Sequence, residues 1–228
     1  MTAPLSVIIP TLNAADGLGP CLGALGEALF DGLIAEVIFA DGGSSDAIAD
    51  VADAVGARLI TAPKGRGTQL AAGVQAAQAP WLLIVHADSV LGENWAGPVR
   101  DHIARHPDRA GWFRLRFRSD HPMARITERW ANLRARLLAL PYGDQGLLIP
   151  RTLYDRAGGY PDVPLMEDVA LARRLGRALR PLDAQITTDA SRYDRDGWIR
   201  RGSRNLGTLM RYLLGARPED LARRYERR

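Results

Sequence analysis

Short apolar segments alternate with helix-forming segments over the first 85 residues of the chain. The apolar segments cover residues 5–9, 36–40, 58–61 and 81–85. The helical segments between them cover residues 18–30, 46–55 and 67–78. Near-continuous apolar strands that alternate with helices predict an α/β fold with a mostly parallel sheet covered on both faces. The carboxyl ends of such strands, and the loops that follow them, meet along one edge, where ligands bind.

The second half of the chain is predicted to be mainly helical. Residues 113–117 are a candidate strand, and further helices are expected before Gly158-Gly159, over 167–179, over 198–214 and from Pro218. Apolar residues at helical spacing form one helix face at Met123, Ile126, Trp130, Leu133, Leu137 and Leu140. We therefore expect one α/β domain over residues 1–190, with a basic, amphipathic helical extension over 191–228 packed on it.

Composition and charge exclude several classes of protein. Hydrophobic residues make up 46% of the chain and charged residues 25%, which excludes a disordered or collagen-like chain. Cys21 is the only cysteine, so no internal disulfide can form. No stretch reaches the roughly 18–20 apolar residues of a membrane span, and the N-terminus reads as a strand, so we expect a cytoplasmic protein. The oligomeric state stays open.

The basic character of the chain is concentrated at its end. The net charge is +4, and residues 192–228 carry eleven arginines against five acidic residues. A helix packed on the core with solvated arginines explains this pattern, and peripheral contact with the inner face of the membrane is an open alternative. Nucleic acid is not expected as a partner, because the arginines lack interleaved aromatic residues.

Polar loops follow three of the predicted strands. These loops are Pro10-Thr11-Leu12-Asn13, Asp41-Gly42-Gly43-Ser44-Ser45-Asp46 and His86-Ala87-Asp88-Ser89. Each alone is typical of a turn or a helix cap. Their coincidence at three strand ends indicates a ligand site.

The loop after the fourth strand and the loop before the third helix carry groups suited to a metal and a phosphate. Asp88 can offer oxygen to Mg²⁺ or Mn²⁺, which use one or two carboxylates together with substrate phosphates. If the fourth strand continues through residue 88, the side chains of His86 and Asp88 point to the same side of the sheet, so His86 is a second candidate ligand. A hydrogen-bonded histidine in the core is nearly as good an interpretation of His86. Arg66, in the glycine-containing loop before the third helix, could contact a phosphate.

Acidic residues in the second half are candidates for proton transfer. Glu167 and Asp168 open a predicted helix, where they either act as helix-capping residues or provide a general base. Asp144, between two glycines, lies either in a polar turn or where backbone approaches a ligand closely.

Together, these motifs resemble those of glycosyltransferase family 2, whose members have the GT-A fold. The resemblance covers about residues 5–175 and rests on four motifs in the family's order: Ser6–Asn13, Asp41–Asp46, His86-Ala87-Asp88 and Glu167-Asp168. Tyr142-Gly143-Asp144-Gln145-Gly146 and Pro164–Asp168 look closer still to a small soluble subgroup, often labelled radical-SAM-associated or arsenosugar-biosynthesis glycosyltransferases.

The resemblance implies a role for each position. The residues implied to bind the nucleotide-sugar donor are Pro10, Thr11, Asn13, Asp41, Ser44, Arg66 and Ala87. Asp88, with His86 as a further candidate ligand, would hold Mg²⁺ or Mn²⁺ on the donor diphosphate. Asp168 would be the catalytic base, with Glu167 beside it, and Asp144, Gln145 and Trp112 would face the sugar or acceptor.

The implied activity is metal-dependent, inverting and non-processive sugar transfer from a nucleotide-sugar, by default a UDP-sugar. The acceptor would be a small or lipid-linked molecule with a hydroxyl group. His86 departs from the family's Asp-x-Asp motif, and the Gln-x-x-Arg-Trp motif of processive members is absent after Asp168.

Two other functions remain open from the residues. One is a non-catalytic protein that binds nucleotides or anionic surfaces on a similar fold. The other is a dinucleotide-dependent oxidoreductase, suggested by Gly17, Gly19 and Gly23. The oxidoreductase is disfavoured because its glycine turn should follow the first strand directly.

Overall fold

The computed structural model describes residues 3–226 as eight strands and ten α-helices. The strands are β1 (Leu5–Thr11), β2 (Ile34–Asp41), β3 (Arg58–Thr61), β4 (Trp81–Ile84), β5 (Ser89–Leu91), β6 (Ala110–Arg118), β7 (Leu147–Pro150) and β8 (Leu179–Asp189). The helices are α1 (Gly19–Phe30), α2 (Ile48–Val55), α3 (Arg66–Ala76), α4 (Ala96–Arg105), α5 (Pro122–Leu138), α6 (Arg151–Arg156), α7 (Glu167–Leu175), α8 (Ser191–Asp196), α9 (Trp198–Leu213) and α10 (Pro218–Glu226).

The strands form one mixed sheet in the order β3-β2-β1-β4-β7-β6-β8-β5. The four strands predicted from the first half of the sequence are parallel to one another, as expected. β7 is antiparallel to both β4 and β6, whereas β8 runs parallel to β6. Because Thr11 is in register with Asp41, the polar ends of β1 and β2 lie side by side at one edge.

Side chains along the parallel strands point alternately to the two faces of the sheet, so the hydrophobic core has two parts, one on each face. Val7 and Ile9 pack on one face with α1, and Ile8 packs on the other face with α3. Gly73 allows α3 to lie close to the sheet, because a Cβ there would fall 2.5 Å from Cγ2 of Ile8. This close approach brings the first turn of α3 to the polar edge.

Three strands differ from the sequence-based expectation. β5 and β7 were not expected, and the helix expected over 167–179 ends at Leu175, where a single 3-10 turn leads into β8. β8 buries only alternate residues, including Ala184 and Thr188. The segment also contains Pro181, Asp183 and Ala184, residue types that strands disfavour, so its strand signal in the sequence is weak.

α5 forms where expected, but its apolar stripe faces outward. Ile126 and Leu137 are 56% and 69% exposed. The buried face of this helix instead carries Ala124, Ala131 and Ala135, whose small side chains allow the helix to lie close to the sheet. Leu140, the last residue of the predicted stripe, lies beyond the end of α5 and is buried.

The chain turns from strand to helix at the point where the extension was expected to begin. β8 ends at Asp189 and α8 begins at Ser191. Trp198, at the start of α9, is buried against Phe117 and Tyr193, so the last helices pack on the sheet. Within residues 3–226, none of the helices combines the length and the apolar character that crossing a membrane requires.

Candidate active site

The Asp41 carboxylate orders the loops that follow β1 and β2. Its oxygens accept hydrogen bonds from the Thr11 hydroxyl (3.0 Å), the Gly43 N–H (2.9 Å), the Ser44 N–H (2.8 Å) and the Ser44 hydroxyl. Burial opposes ionisation of Asp41, but these hydrogen bonds outweigh it and lower its pKa. Asp41 is therefore ionised and holds the two loops in place through these hydrogen bonds. A ligand could form a hydrogen bond with the Asp41 carboxylate only by displacing one of the four donors.

Asn13 and Ser44 tie the two loops to each other. The Asn13 N–H donates to the Ser44 hydroxyl oxygen at 2.8 Å, and the Asn13 side-chain oxygen accepts from the Ser45 N–H at 2.8 Å. Asn13 has a φ of 51°, a left-handed conformation that asparagine tolerates better than most residues. Gly17 lies further on, in a separate 3-10 turn, so no glycine turn of the dinucleotide-binding type follows β1.

Gln69 supports the same edge, and the sequence analysis missed it. Its buried side-chain amide donates to the carbonyl oxygens of Thr11 (2.7 Å) and Ala40 (2.8 Å). Gln69 thereby joins the ends of β1 and β2 to the first turn of α3. A single glutamine in an Ala-rich helix carries no local signal of this role.

The loops enclose a cleft of about 500 Å³, which we call the edge cleft. Its lining includes Pro10, Thr11, Leu12, Asn13, Lys64, Arg66, Gln69, His86, Ala87, Asp88 and Arg192. Asp41 and Ser44, which were expected to bind the donor, are not among the lining residues. The cleft thus combines backbone and amide groups at one end with the cations of Lys64, Arg66 and Arg192 and the carboxylate of Asp88.

A second cavity, of about 190 Å³, adjoins the edge cleft, and we call it the inner cavity. Arg66, His86, Asp88 and Arg192 line both spaces. Asp144, Glu167 and Asp168 line the inner cavity, together with Tyr193, Asn205 and Thr208 from the C-terminal helices. The structure therefore brings the predicted acidic residues together with the loop after β4.

Asp168 is held at the N-terminus of α7 by two backbone donors. One carboxylate oxygen accepts the Gly143 N–H at 2.7 Å, and the other accepts the Val169 N–H at 2.7 Å. These bonds fix the orientation of the Asp168 carboxylate, and each oxygen can still accept a further hydrogen bond. Asp168 is therefore positioned to receive a proton from a molecule in the inner cavity.

Glu167 differs from Asp168 in its surroundings. It is only 3% exposed, and its Oε1 lies 3.8 Å from the Arg66 guanidinium. Burial, together with repulsion from Asp168, raises the pKa of Glu167 above its usual value, although Arg66 opposes the shift. Glu167 thus links the start of α7 to Arg66 at the start of α3.

His86 is a neutral group between the two spaces. Burial, with repulsion from Arg66 and Arg192, lowers the pKa of His86 to about 3. Its buried Nε2 has no hydrogen-bond partner among the described residues, and a Cβ on Gly143 would fall 2.6 Å from it. An aspartate at this position, as in the family motif, would carry charge where His86 does not.

Asp144 also has a markedly shifted pKa. Burial raises the pKa of Asp144 to about 6, with smaller contributions from Asp168 and Asp88, while Arg134 opposes the shift. Its Oδ1 is buried without a hydrogen-bond partner in the described part of the chain. Asp144 can therefore exist in either protonation state near neutral pH.

Two residues expected in the acceptor pocket lie outside the inner cavity. Gln145 is fully buried, where its side chain accepts from Arg134 and donates to Asn132, each at 3.3 Å. Trp112 is buried on β6, on the opposite face from Phe117, which lines the cavity. Gln145 therefore positions the Tyr142–Gly146 loop, and Trp112 belongs to the core.

The C-terminal helices form one wall of the inner cavity, which the sequence analysis did not anticipate. Tyr193 stacks on Trp198 with ring centroids 4.8 Å apart, and its hydroxyl accepts from the Asn205 amide at 3.1 Å. Arg201, below them, is paired with Asp196 at 2.7 Å. The sequence analysis placed these residues in the basic C-terminal extension and predicted no role for them in the site.

Protein groups alone do not form a metal cage at this site. The residues in 3–226 include no cluster of three or more His, Cys, Asp or Glu side chains that could hold a metal ion. Asp88 is exposed to both spaces. A hard divalent cation bound there would need further oxygen ligands from a diphosphate or water, an arrangement that suits Mg²⁺ or Mn²⁺.

Comparison with solved structures confirms the expected GT-A fold. S. aureus TarS (residues 1–349) matches with a TM-score of 0.64 at 15% identity, over 90% of this chain and 64% of that one. Glucosyl-3-phosphoglycerate synthase from Mycobacterium tuberculosis, in complex with Mn²⁺, UDP and glucosyl-3-phosphoglycerate, matches with a TM-score of 0.58 at 19% identity, over 81% of this chain and 70% of that one.

Sequence comparison gives the family. A PGL/p-HBAD biosynthesis glycosyltransferase from Mycobacterium tuberculosis is 37% identical over 101 residues, which cover 41% of this chain and 39% of the relative. The match thus spans well under half the length of that relative. The model for "Glycosyl transferase family 2" matches residues 6–160. Since this match covers more than half of the chain and the fold agrees with it, the protein belongs to glycosyl transferase family 2.

Proposed function

We propose that this protein is a metal-dependent, inverting and non-processive glycosyltransferase that moves a sugar from a UDP-sugar to an acceptor hydroxyl. The observation that carries the proposal is the junction of the two spaces at Asp88. A donor diphosphate at Asp88 would place its sugar towards the inner cavity, which Asp168 lines. The Asp88 carboxylate would then act on the leaving diphosphate through the metal, and the Asp168 carboxylate would act on the acceptor hydroxyl.

The edge cleft has the size and chemistry for the nucleotide. Its volume of about 500 Å³ lies within the range of small-molecule sites. The loop atoms around Thr11 and Asn13 offer hydrogen bonds to a base and a ribose, while Lys64 and Arg66 offer positive charge to a diphosphate. UDP is proposed as the nucleotide because solved structures of similar fold are described as complexes with UDP or UDP-GlcNAc.

A metal at Asp88 would supply positive charge to the leaving diphosphate. The Asp88 carboxylate would bind it and fix its position next to the Arg66 guanidinium. Neutral His86 adds no charge to the site, so the sum of charges there is set by Asp88 and the neighbouring arginines. The Mn²⁺ in the glucosyl-3-phosphoglycerate synthase complex supports a divalent cation in this role.

Asp168 is proposed as the general base. The acceptor hydroxyl would give its proton to Asp168 as its oxygen bonds to the anomeric carbon. The bond from that carbon to the diphosphate oxygen breaks in the same step, and Arg66 helps to stabilise the charge that develops on the leaving group. One displacement of this kind inverts the configuration at the anomeric carbon.

Calorimetric titration tests the donor site. UDP and GDP are titrated with and without Mn²⁺ into the wild-type protein, Asp88→Ala and the control Glu93→Ala, which removes an exposed carboxylate outside both spaces. We expect UDP binding that strengthens with Mn²⁺ in the wild type and the control, and loss of the Mn²⁺-dependent part in Asp88→Ala. Binding of neither nucleotide would contradict the proposal and favour a non-catalytic, anionic-surface-binding protein.

A further inference from the structure

Exposed apolar side chains are concentrated on two helices. Of the fifteen large hydrophobic residues that are exposed in the described chain, ten lie on α5 and on α9 with its C-terminal cap. Those on α5 are Ile126, Trp130, Leu133, Leu137 and Leu138. Those on α9 and its cap are Ile199, Leu206, Met210, Leu213 and Leu214. We call these ten residues the helix-pair patch.

The two halves of the patch adjoin each other. Trp130 of α5 and Leu206 of α9 line one small cavity between the helices, together with Thr127 and Gly202. The residues at positions 126, 130, 133 and 137 follow helical spacing, as do those at 199, 206, 210 and 213. Each helix thus presents an apolar stripe, and the stripes continue into one surface.

The patch is not an incompletely buried part of the core. The inner face of α5 is already filled by its alanines, and α9 buries Thr208 and Leu209 on its own inner face. The large apolar residues lie on the outer sides, with Ile199 at 71% and Leu214 at 83% exposure. A contiguous apolar surface of this kind on a folded chain marks an interaction site.

The exposed charges on the two helices have one sign, and the one acidic residue in the groove beside Leu133, Asp183, is paired with Arg114. Exposed arginines flank it on both helices at Arg129, Arg136, Arg200 and Arg211. Glu128 is the only acidic residue of either helix, and it is buried against Arg116 and Arg125. A second copy of the chain docked by a two-fold axis would bring arginines against arginines, whereas an anionic surface would be complementary.

We propose that the helix-pair patch docks this protein on an anionic lipid bilayer. The apolar side chains would enter the boundary between headgroups and acyl chains, and the arginines would lie at the lipid phosphates. Docking would also place the inner cavity near the lipid surface, because Asn205 and Thr208 of α9 line that cavity. A helix is about 10–12 Å across, so an acceptor carried by a lipid could reach the cavity. This last consequence rests on the proposed glycosyltransferase activity, whereas docking itself does not.

Vesicle co-sedimentation tests the apolar part of the proposal. The full chain is mixed with vesicles of phosphatidylcholine alone or of equal parts phosphatidylcholine and phosphatidylglycerol. The patch variant combines Leu133→Gln, Leu137→Gln, Met210→Gln and Leu214→Gln. The matched control combines Leu29→Gln, Phe30→Gln, Val55→Gln and Leu59→Gln, four exposed apolar residues outside α5 and α9. We expect wild type and control to sediment with the anionic vesicles, and the patch variant to bind at least about tenfold more weakly.

An arginine variant tests the electrostatic part without touching apolar groups. Arg129→Gln, Arg136→Gln and Arg211→Gln are compared with Arg105→Gln, Arg156→Gln and Arg173→Gln, which are exposed on other helices. Each arginine near an anionic membrane contributes about fivefold in binding, so the first set should weaken vesicle binding by on the order of a hundredfold. High salt should weaken wild-type binding in the same direction.

Several outcomes would overturn docking on lipid. These are absence of wild-type binding to anionic vesicles at low salt, equal binding to both vesicle types, and equal behaviour of patch and control variants. A concentration-dependent dimer in sedimentation velocity that the patch substitutions abolish would assign the surface to a second copy instead. UDP binding by the patch variant is measured by calorimetry. Loss of vesicle binding with unchanged UDP binding would show that the patch acts in docking alone, independently of the proposed glycosyltransferase function.

Discussion

The Gly143 N–H donates a 2.7 Å hydrogen bond to the carboxylate of Asp168, which ties the N-terminus of α7 to the loop before β7. The same glycine lies against His86 of the loop after β4. Residues from three separate parts of the chain therefore meet at one backbone position. The geometry of the proposed base depends on the absence of a side chain there.

Gly143→Ala should disturb this junction. A Cβ at position 143 would fall 2.6 Å from Nε2 and 2.8 Å from Cε1 of His86, so either the ring or the loop must move. We expect a destabilisation of about 1–3 kcal/mol, measured by urea unfolding, and a loss of turnover larger than the loss of UDP binding. Gly26→Ala is the control, since a Cβ there meets nothing within 4 Å and alanine favours the helix. Equal effects of the two substitutions would argue against the junction.

Asp168→Asn should separate binding from chemistry. The amide keeps the size of the side chain but cannot accept the acceptor proton, so transfer should fall by about 10²–10⁴-fold while UDP binding stays within a few-fold of wild type. The rate of sugar transfer is measured as the rate of UDP release. The control variant is Asp155→Asn, which changes an exposed carboxylate on α6. Full activity of Asp168→Asn would remove Asp168 as the base.

The parallel half of the sheet could be predicted because its signals are local. Each buried strand is a continuous apolar run, and the polar loops after β1, β2 and β4 follow directly in the sequence. β8 could not be predicted in this way, because it is not a continuous apolar run and it contains Pro181, Asp183 and Ala184, residue types that strands disfavour. Strand pairing with β6, rather than local preference, determines its structure.

Helical periodicity identified α5 but not its orientation. The apolar residues at 126, 130, 133 and 137 indicate one face, and the sequence alone does not say whether that face or the alanine face packs on the sheet. In the structure the close approach of α5 to β6 favours the alanines. The large apolar residues are consequently left on the surface.

The placement of a candidate residue was predictable where it follows from that residue's own strand end or helix start. Asp88 and Asp168 were identified from motifs at a strand end and at a helix start. Arg192 and Asn205 were not, because their place in the cavity wall depends on how α8 and α9 fold back on the sheet. Trp112 was assigned to the cavity, but strand alternation turns it to the other face.

Asp144 should make stability depend on pH. Its pKa in the folded protein is about 6, above the ordinary value of 3.8, so the folded state binds this proton more tightly than the unfolded state. The resulting stability is present below pH 4 and is lost as the pH rises through 6. Asp144→Asn should therefore be more stable than wild type at pH 7.5 by about 1–3 kcal/mol, with a smaller advantage at pH 4.5.

Urea unfolding at both pH values measures the Asp144 effect. Asp183→Asn is the control, because that side chain is 90% exposed and lies on the surface beside Arg114. Its substitution should leave the pH dependence between 4.5 and 7.5 unchanged. If Asp144→Asn keeps the wild-type pH dependence, then Asp144 is ionised in the folded protein throughout this range.

Gln69→Ala should lower both the stability of the protein and the affinity of the edge cleft for UDP. The substitution removes the side-chain donor from two buried carbonyl oxygens, those of Thr11 and Ala40, although the Thr11 oxygen keeps the Gly42 N–H at 2.9 Å. Loss of the two hydrogen bonds should cost about 1–3 kcal/mol in unfolding free energy. The ends of β1 and β2 would be less firmly held, so UDP should bind several-fold more weakly in calorimetry. Gln75→Ala, exposed on the same helix, is the matched control and should change neither quantity. A Gln69→Ala variant with wild-type stability and UDP affinity would show that the two strand ends keep their geometry without this amide.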